Sequence, residues 1–421
     1  MRPSLLGALL WTTVSTASAF AQDPAPLART TTAAMLAGLD QLEPKGGWLA
    51  TPPGLSGELW AYYRDAFGLA PVGNEPDEAR IALGRLLFFD QRLSRDRSLS
   101  CASCHDPTHG FAEPRPTSIG IGGQVLARNA PTILNAALQK RLFWDGRASS
   151  LEEQAAGPLL NPAEMGMPDR ASVVARIAAE PDYVALFELA YGRAPAFDDV
   201  VGALAAFQRT LVFVDAPFDA FRAGQLDAIS PDARLGFALF VEHCRSCHTI
   251  SVRAPLLADD NFHNVGIGFG KADHRALAHD AFLRLRQPGR EPGDGERAKA
   301  EASGGQLPAD VVGAFGELGR ALVSKLEYQV GAFRTAPLRN VALTAPYMHD
   351  GSLATLWQVV DHYNQGGRPN TWQDPQIRKL QLSDVQVDQL VAFLFTLTDR
   401  RLTGANERAF EEQRRAPRQR P

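Results

Sequence analysis

Cysteine is scarce: four in 421 residues. A chain this long cannot be held together by so few crosslinks, so its stability must come from apolar cores. The length allows two or three of them. An excess of charge of either sign is also missing. The net charge of −4 gives no reason to expect a nucleic-acid partner, and the only basic cluster is Arg414, Arg415, Arg418 and Arg420, at a tail expected to fray. Long hydrophobic runs are absent after the N-terminus, which excludes a later membrane span. The one early apolar run, Leu5 to Val14, follows Arg2 and precedes Ala19-Phe20-Ala21. That is the pattern of a secretory signal over residues 1–21, too short to serve as an anchor. Strict apolar–polar alternation is rare too, so the fold class expected is mainly α with little β.

What is present is a motif used twice. All four cysteines fall in Cys101-Ala102-Ser103-Cys104-His105 and Cys244-Arg245-Ser246-Cys247-His248. C-x-x-C-H is the spacing of covalent haem attachment: two thiols can add to the two vinyl groups of one porphyrin, and the next residue offers an imidazole to the iron. A disulfide, a zinc site and a redox C-x-x-C are the competing readings. Zinc wants closely grouped Cys or His ligands, and a disulfide leaves the trailing histidine unexplained. Two covalent c-type haems are therefore expected, with iron ligands His105 and His248. Such attachment belongs outside the cytoplasmic membrane, so export and a periplasmic location agree with the motif, and no membrane span is expected once the signal is removed.

Residues 22–77 form an N-terminal extension rich in Pro, Gly and Ala, with Trp48, Trp60, Tyr62 and Tyr63 as packing anchors. It is expected to lie on the first module, with a peripheral helix around Leu55–Phe67. A helix is expected near Asp77–Phe89, before a loop over Asp90–Ser98. Its face Leu83-Gly84-Arg85-Leu86-Leu87-Phe88 recurs as Leu235-Gly236-Phe237-Ala238-Leu239-Phe240, each copy preceding a C-x-x-C-H. This long-period repeat implies two cytochrome c-like haem domains with long loops, 78–225 and 226–402, and a flexible tail over 403–421. The glycine in each copy permits close helix approach. Ser150 and Glu153 have capping-box spacing, as do Ser383 and Gln386. Val200, Leu204, Phe207 and Leu211 share a helical face, and Val387, Leu390, Val391 and Leu394 make a buried stripe over Ser383–Leu397. Residues 271–305 are polar and glycine-rich and read as a mobile insertion.

The order of segments from about residue 78 to 400 resembles the bacterial di-haem cytochrome c peroxidase family, which includes the MauG-like enzymes. The resemblance is carried by Leu87-Phe88-Phe89-Asp90-Gln91-Arg92-Leu93-Ser94, both haem motifs, Arg128-Asn129-Ala130-Pro131-Thr132 and Phe143-Trp144-Asp145-Gly146-Arg147. Gln154, Glu164, Ala336-Pro337-Leu338-Arg339-Asn340 and Tyr347-Met348-His349-Asp350-Gly351 complete it. It implies that the haem on His105 binds and cleaves hydrogen peroxide and that the haem on His248 handles electrons, with Trp144 between them. Glu164 matches the acid/base that moves a proton during O–O cleavage, and Gln154 the residue that positions peroxide.

Two departures from the family pattern stand out. The family's peroxidases often carry a histidine cap on the first iron just after a Pro-Thr-Ser-x-Gly run. Here Pro116-Thr117-Ser118-Ile119-Gly120 is followed by Ile121, which cannot bind iron, and His109 comes too soon to match. The first haem is thus expected to have an open distal side. The sixth ligand of the second haem matches Tyr363, with His362 and Met348 as competitors. Tyrosine there is the MauG-like choice, and a phenolate favours ferric and higher-valent iron. Asn129, Thr344 and Pro346 match oxygen donors to a calcium ion between the domains.

The resemblance implies a peroxidase fed by a small periplasmic cytochrome c or cupredoxin. The alternative is a MauG-like oxidase acting on a partner protein or an organic substrate. A non-enzymatic electron carrier would leave Gln154 and Glu164 without purpose. Look-alikes are commonly homodimers.

Overall fold

The structure is a computed structural model that describes residues 51–52, 55–67, 69, 76–251, 255–269, 275–276, 278–279 and 316–417. The signal segment, and all of the 271–305 insertion but four residues, lie outside that set. The described part is helical, with one two-stranded antiparallel sheet, β1 (Phe262–His263) and β2 (Phe333–Arg334), pairing Phe262 with Arg334 and His263 with Phe333.

The first lobe begins with α1 (Gly57–Ala66), capped by the Ser56 hydroxyl, which accepts from the Leu59 amide. Helix α2 (Glu78–Phe89) is capped by Asp77, whose carboxylate accepts from the Arg80 amide at 2.8 Å. It buries Ile81, Leu83, Gly84, Leu87, Phe88 and Phe89. Then come α3 (Leu151–Leu160), α4 (Arg170–Ala178), α5 (Pro181–Tyr191) and α6 (Phe197–Arg209). Helix α6 is buried along almost its whole length because α2 and α3 both pack on it. Val200, Leu204 and Phe207 face that core as their spacing predicts; Leu211 lies past the helix end, also buried.

The second lobe contains α7 (Pro217–Arg222), α8 (Pro231–His243), α9 (Leu356–Asn364), α10 (Asp384–Phe395) and α11 (Thr403–Arg415). The Ser383–Gln386 capping box opens α10, whose Val387, Leu390, Val391 and Leu394 are buried as expected. The central pair is α8 on α10, and it copies α2 on α6. A Cβ on Gly84 would lie 1.8 Å from the Ala203 carbonyl oxygen, and one on Gly236 would lie 1.9 Å from that of Gln389. Each glycine is thus required by a helix crossing too close for any side chain.

Four expectations change. Phe218 and Phe221 of α7 pack with Phe237 and Phe393 in the second lobe's core, so the boundary falls before Pro217 and not at 225. The stretch expected to be a flexible tail is helical over α11. Its buried Gln413 accepts from the Leu356 amide and donates to the Ala342 carbonyl and the Tyr347 hydroxyl, each at 2.9 Å, while Phe410 packs on Trp357 and Phe395. The extension does not rest on the first lobe alone. Burial pushes the phenol of Tyr63 up to about 12, and the charges it feels are Arg339, Asp219 and Arg222. Finally, Ser150 accepts from the Glu153 amide, but the Glu153 carboxylate turns to the amide and hydroxyl of Ser149, so only half of that capping box forms.

Candidate active site

The two attachment motifs are built alike. Cys101–Ser103 is a single 3-10 turn, and Cys244 caps the end of α8. His105 Nδ1 faces the Phe111 carbonyl at 3.4 Å, and His248 Nδ1 faces the Leu257 carbonyl at 2.8 Å. A protonated Nδ1 donating to a carbonyl leaves Nε2 with its lone pair, the form a haem iron takes. Burial lowers the basicity of both rings and keeps them neutral. Phe88 lies 6.5 Å from the His105 ring and Phe240 lies 6.2 Å from the His248 ring, at nearly equal tilts of 41° and 43°. These phenylalanines end the two copies of the sequence repeat.

None of the four cysteines is paired in a disulfide, which removes the disulfide reading. Among the described residues one group, Cys247, Asp259 and His263, has ligand atoms close enough for a metal ion. It suits zinc poorly, since Asp374 takes His263 Nδ1 at 2.6 Å and Asp259 takes Nε2 at 3.0 Å.

Beside His105 lies a cavity of about 600 Å³, within the range of roughly 300–1,000 Å³ usual for cofactor and ligand sites. Cys101, Cys104, Trp144, Gln154 and Glu164 all line it, so the structure gathers every catalytic candidate read from the sequence at the first motif. Gln154 comes from α3 and Glu164 from the turn beyond it. That turn is fixed by Asn161, whose Nδ2 donates to the Glu164 carboxylate at 2.7 Å and whose backbone carbonyl accepts from the Glu164 amide at 3.0 Å. Burial raises the Glu164 carboxyl above its ordinary range, with Arg147 and Asn161 pulling the other way. A carboxyl so placed holds and releases a proton closer to neutrality than a surface glutamate does.

The segment at Ile121 braces this turn. The Ile121 amide donates to the Glu164 carbonyl at 3.0 Å, and a Cβ on Gly120 would lie 1.7 Å from the Ala163 oxygen. The Ile121 side chain is buried against Gly166. His109 is half-exposed, beside Thr108 and Asp106.

Trp144 sits where the two lobes meet. Its indole N–H donates to the Asn129 carbonyl at 2.8 Å, and its ring meets the edge of His349 at 6.4 Å. Reciprocal backbone bonds, each 2.8 Å, run from the Asn129 amide to the His349 carbonyl and from the Arg334 amide to the Trp144 carbonyl. Trp144 and His349 hold matching places in two similar turns. Leu142 bridges Ala148 and Tyr347 bridges Leu353, Phe143 and Met348 both have positive φ, and Asp-Gly follows both Trp144 and His349. That repeated Asp-Gly is the signal in the sequence that could have identified His349. His349 stacks on Phe333 at 3.6 Å and shares a 2.9 Å hydrogen bond with the buried Glu317.

At the second motif, burial raises the Tyr363 phenol above its ordinary range, and Cys244 and Cys247 raise it further, so it lies by that pair. A bound metal cation would reverse this and favour the phenolate. His362 is buried and engages the Val265 carbonyl through Nε2 at 2.8 Å, and Met348 packs at the edge of the second lobe's core. Of the oxygen donors, Asn129 gives its Nδ2 to the Glu113 and Arg115 carbonyls, which leaves Oδ1 as the acceptor. Thr344 donates to the Val341 carbonyl at 3.0 Å, and Pro346 follows a cis peptide bond.

Residues 78–227 match a family model described as di-haem cytochrome c peroxidase. The chain is 36% identical over 331 residues to the methylamine utilization protein MauG of Methylorubrum extorquens, covering 78% of this chain and 80% of that one. It is 35% identical over 330 residues to the cytochrome c551 peroxidase of Pseudomonas aeruginosa, covering 77% and 80%. A crystal structure of a MauG-like protein associated with microbial copper homeostasis superposes with a TM-score of 0.62 at 32% identity, covering 78% of this chain and 92% of that one.

Proposed function

The chain belongs to the di-haem cytochrome c peroxidase family, and on that premise we propose that it is a periplasmic enzyme reducing hydrogen peroxide to water at the first haem site with two electrons entering through the second. One observation carries the reading: Glu164, Gln154 and Trp144 line one cavity with His105. A c-type haem bound there supplies the iron that receives peroxide and passes on the electrons. The chain's own residues do the rest. Gln154 orients the peroxide. Glu164 takes the proton from the inner oxygen and returns it to the outer one, so the O–O bond breaks with water leaving; two further protons and two electrons complete the balance, giving two waters per peroxide. Trp144, held by Asn129, lies between the lobes and carries charge from one side to the other. Tyr363 would hold the iron of the second haem as its sixth ligand; its phenol lies by Cys244 and Cys247 while His362 is engaged elsewhere.

Asn129, Thr344 and Pro346 are the proposed donors to one calcium ion, supported by the orientation of the Asn129 amide. The electron donor is a small cytochrome c or cupredoxin. Among the described residues no helix is long and apolar enough to cross a membrane.

A second reading is favoured by Tyr363 and by Ile121. A tyrosine ligand resists reduction of the second iron, and an uncapped first site needs no reductive activation. Together they fit a MauG-like oxidase that uses peroxide on a partner protein or organic substrate. Turnover with peroxide and reduced cytochrome c separates the two. Rapid oxidation of the cytochrome supports the peroxidase; none, with oxidation of a candidate protein substrate, supports the oxidase.

A further inference from the structure

Three arginines line the first cavity: Arg128, Arg147 and Arg334. Two share one acid. Arg128 and Arg147 both pair with Asp145, at 2.9 and 2.8 Å. Arg334 is different. It is 6% exposed, and the bonds its guanidinium makes are long ones to backbone carbonyls, 3.4 Å to Phe143 and 3.3 Å to Thr335. Among the described residues no carboxylate lies within ion-pair distance of it, and Asp260, the acid whose charge it feels, pairs with Lys140 at 3.0 Å. Burial pushes its guanidinium down to about 10, the mark of a cation held without adequate compensation. A buried unpaired charge is among the costliest features a fold can carry. Yet the strand β2 holds this one firmly, through the Arg334 amide to the Trp144 carbonyl. Such a site wants a carboxylate delivered into the cavity.

Resting on the two-haem reading above, we propose that Arg334 is the ionic anchor for a propionate of the haem attached at Cys101 and Cys104. The chemistry matches: the macrocycle is tied through its vinyl substituents, and its carboxylates lie at the other pyrroles. A planar guanidinium suits a carboxylate better than an ammonium does. Neutralising the propionate also removes negative charge from the porphyrin edge, which favours the ferrous state of that iron.

The test is a spectroelectrochemical titration of purified wild-type holoprotein and of the Arg334→Gln and Arg334→Lys variants, each with its haem content counted. At a fixed applied potential the ferrous-to-ferric ratio of the first haem is expected to fall at least tenfold in Arg334→Gln, which for one electron is about 59 mV. Arg334→Lys, which keeps the charge, should stay within threefold of wild type. Loss of the first haem from Arg334→Gln but not from Arg334→Lys would equally support the anchor. Titration of Arg334→Gln with wild type, or loss of that haem from both variants, would overturn it. So would sodium acetate shifting wild type but not Arg334→Gln, since the occupant would then be a soluble carboxylate. A wild-type haem count other than two strikes the family reading instead.

Discussion

Each half of the molecule brings a helix into a C-x-x-C-H turn, crosses it over a second helix at a glycine, and sets a phenylalanine beside the histidine. In the first half these parts are α2, Gly84 on α6, and Phe88 by His105; in the second they are α8, Gly236 on α10, and Phe240 by His248. The halves part company beyond the attachment. The first opens onto a cavity with Glu164 and Gln154; the second offers a phenol near its cysteines. The parts that would hold a macrocycle are thus alike in the two halves, and the residues beyond them differ.

Four changes probe that division, in falling order of effect. Glu164→Gln keeps shape and hydrogen bonding but removes the proton carrier. Peroxide cleavage measured by stopped flow should slow by about 10²–10⁴-fold, with the haem content unchanged; a wild-type rate would remove Glu164 from the chemistry. Gly84→Ala and Gly236→Ala should each cost roughly 1–3 kcal/mol by forcing the crossing helices apart. Thermal melts showing only one of them destabilised would break the equivalence of the halves. Tyr363→Met replaces a hard anionic donor with a thioether and should raise the midpoint of the second haem while leaving the first alone; an unchanged spectrum would exclude tyrosine ligation. With Glu164 proposed as the base and burial raising its carboxyl, peroxide cleavage should decline as pH falls through that raised value, up to tenfold per unit below it. Glu164→Asp should move the inflection, and a profile flat from neutral to mildly acidic pH would contradict the assignment.

Much of this was legible in the chain because it is local. The attachment motifs, the paired glycines and the Ser383 cap depend on neighbours a few residues apart. The order of motifs then pointed to Gln154, Glu164 and Trp144, which the fold brings to one cavity. What was illegible depends on distant partners. Phe218 looks like the end of the first module until Phe393 meets it, and Gln413 looks like tail until Leu356, Ala342 and Tyr347 surround it. Arg334 is one arginine among many until its burial is seen, and with it the lack of a paired acid among the described residues. His349 shares its backbone turn and the following Asp-Gly with Trp144 but not its side-chain type, so only that repeat marks it in the sequence.

The account rests on a first iron site left open by Ile121 while the second is closed by Tyr363. Mixing the fully oxidised protein with one equivalent of hydrogen peroxide in a stopped-flow spectrometer, with no reductant present, tests this most directly. The account predicts an immediate change in the haem spectrum within the first milliseconds to seconds. A spectrum that stays fixed until an electron is supplied would contradict it.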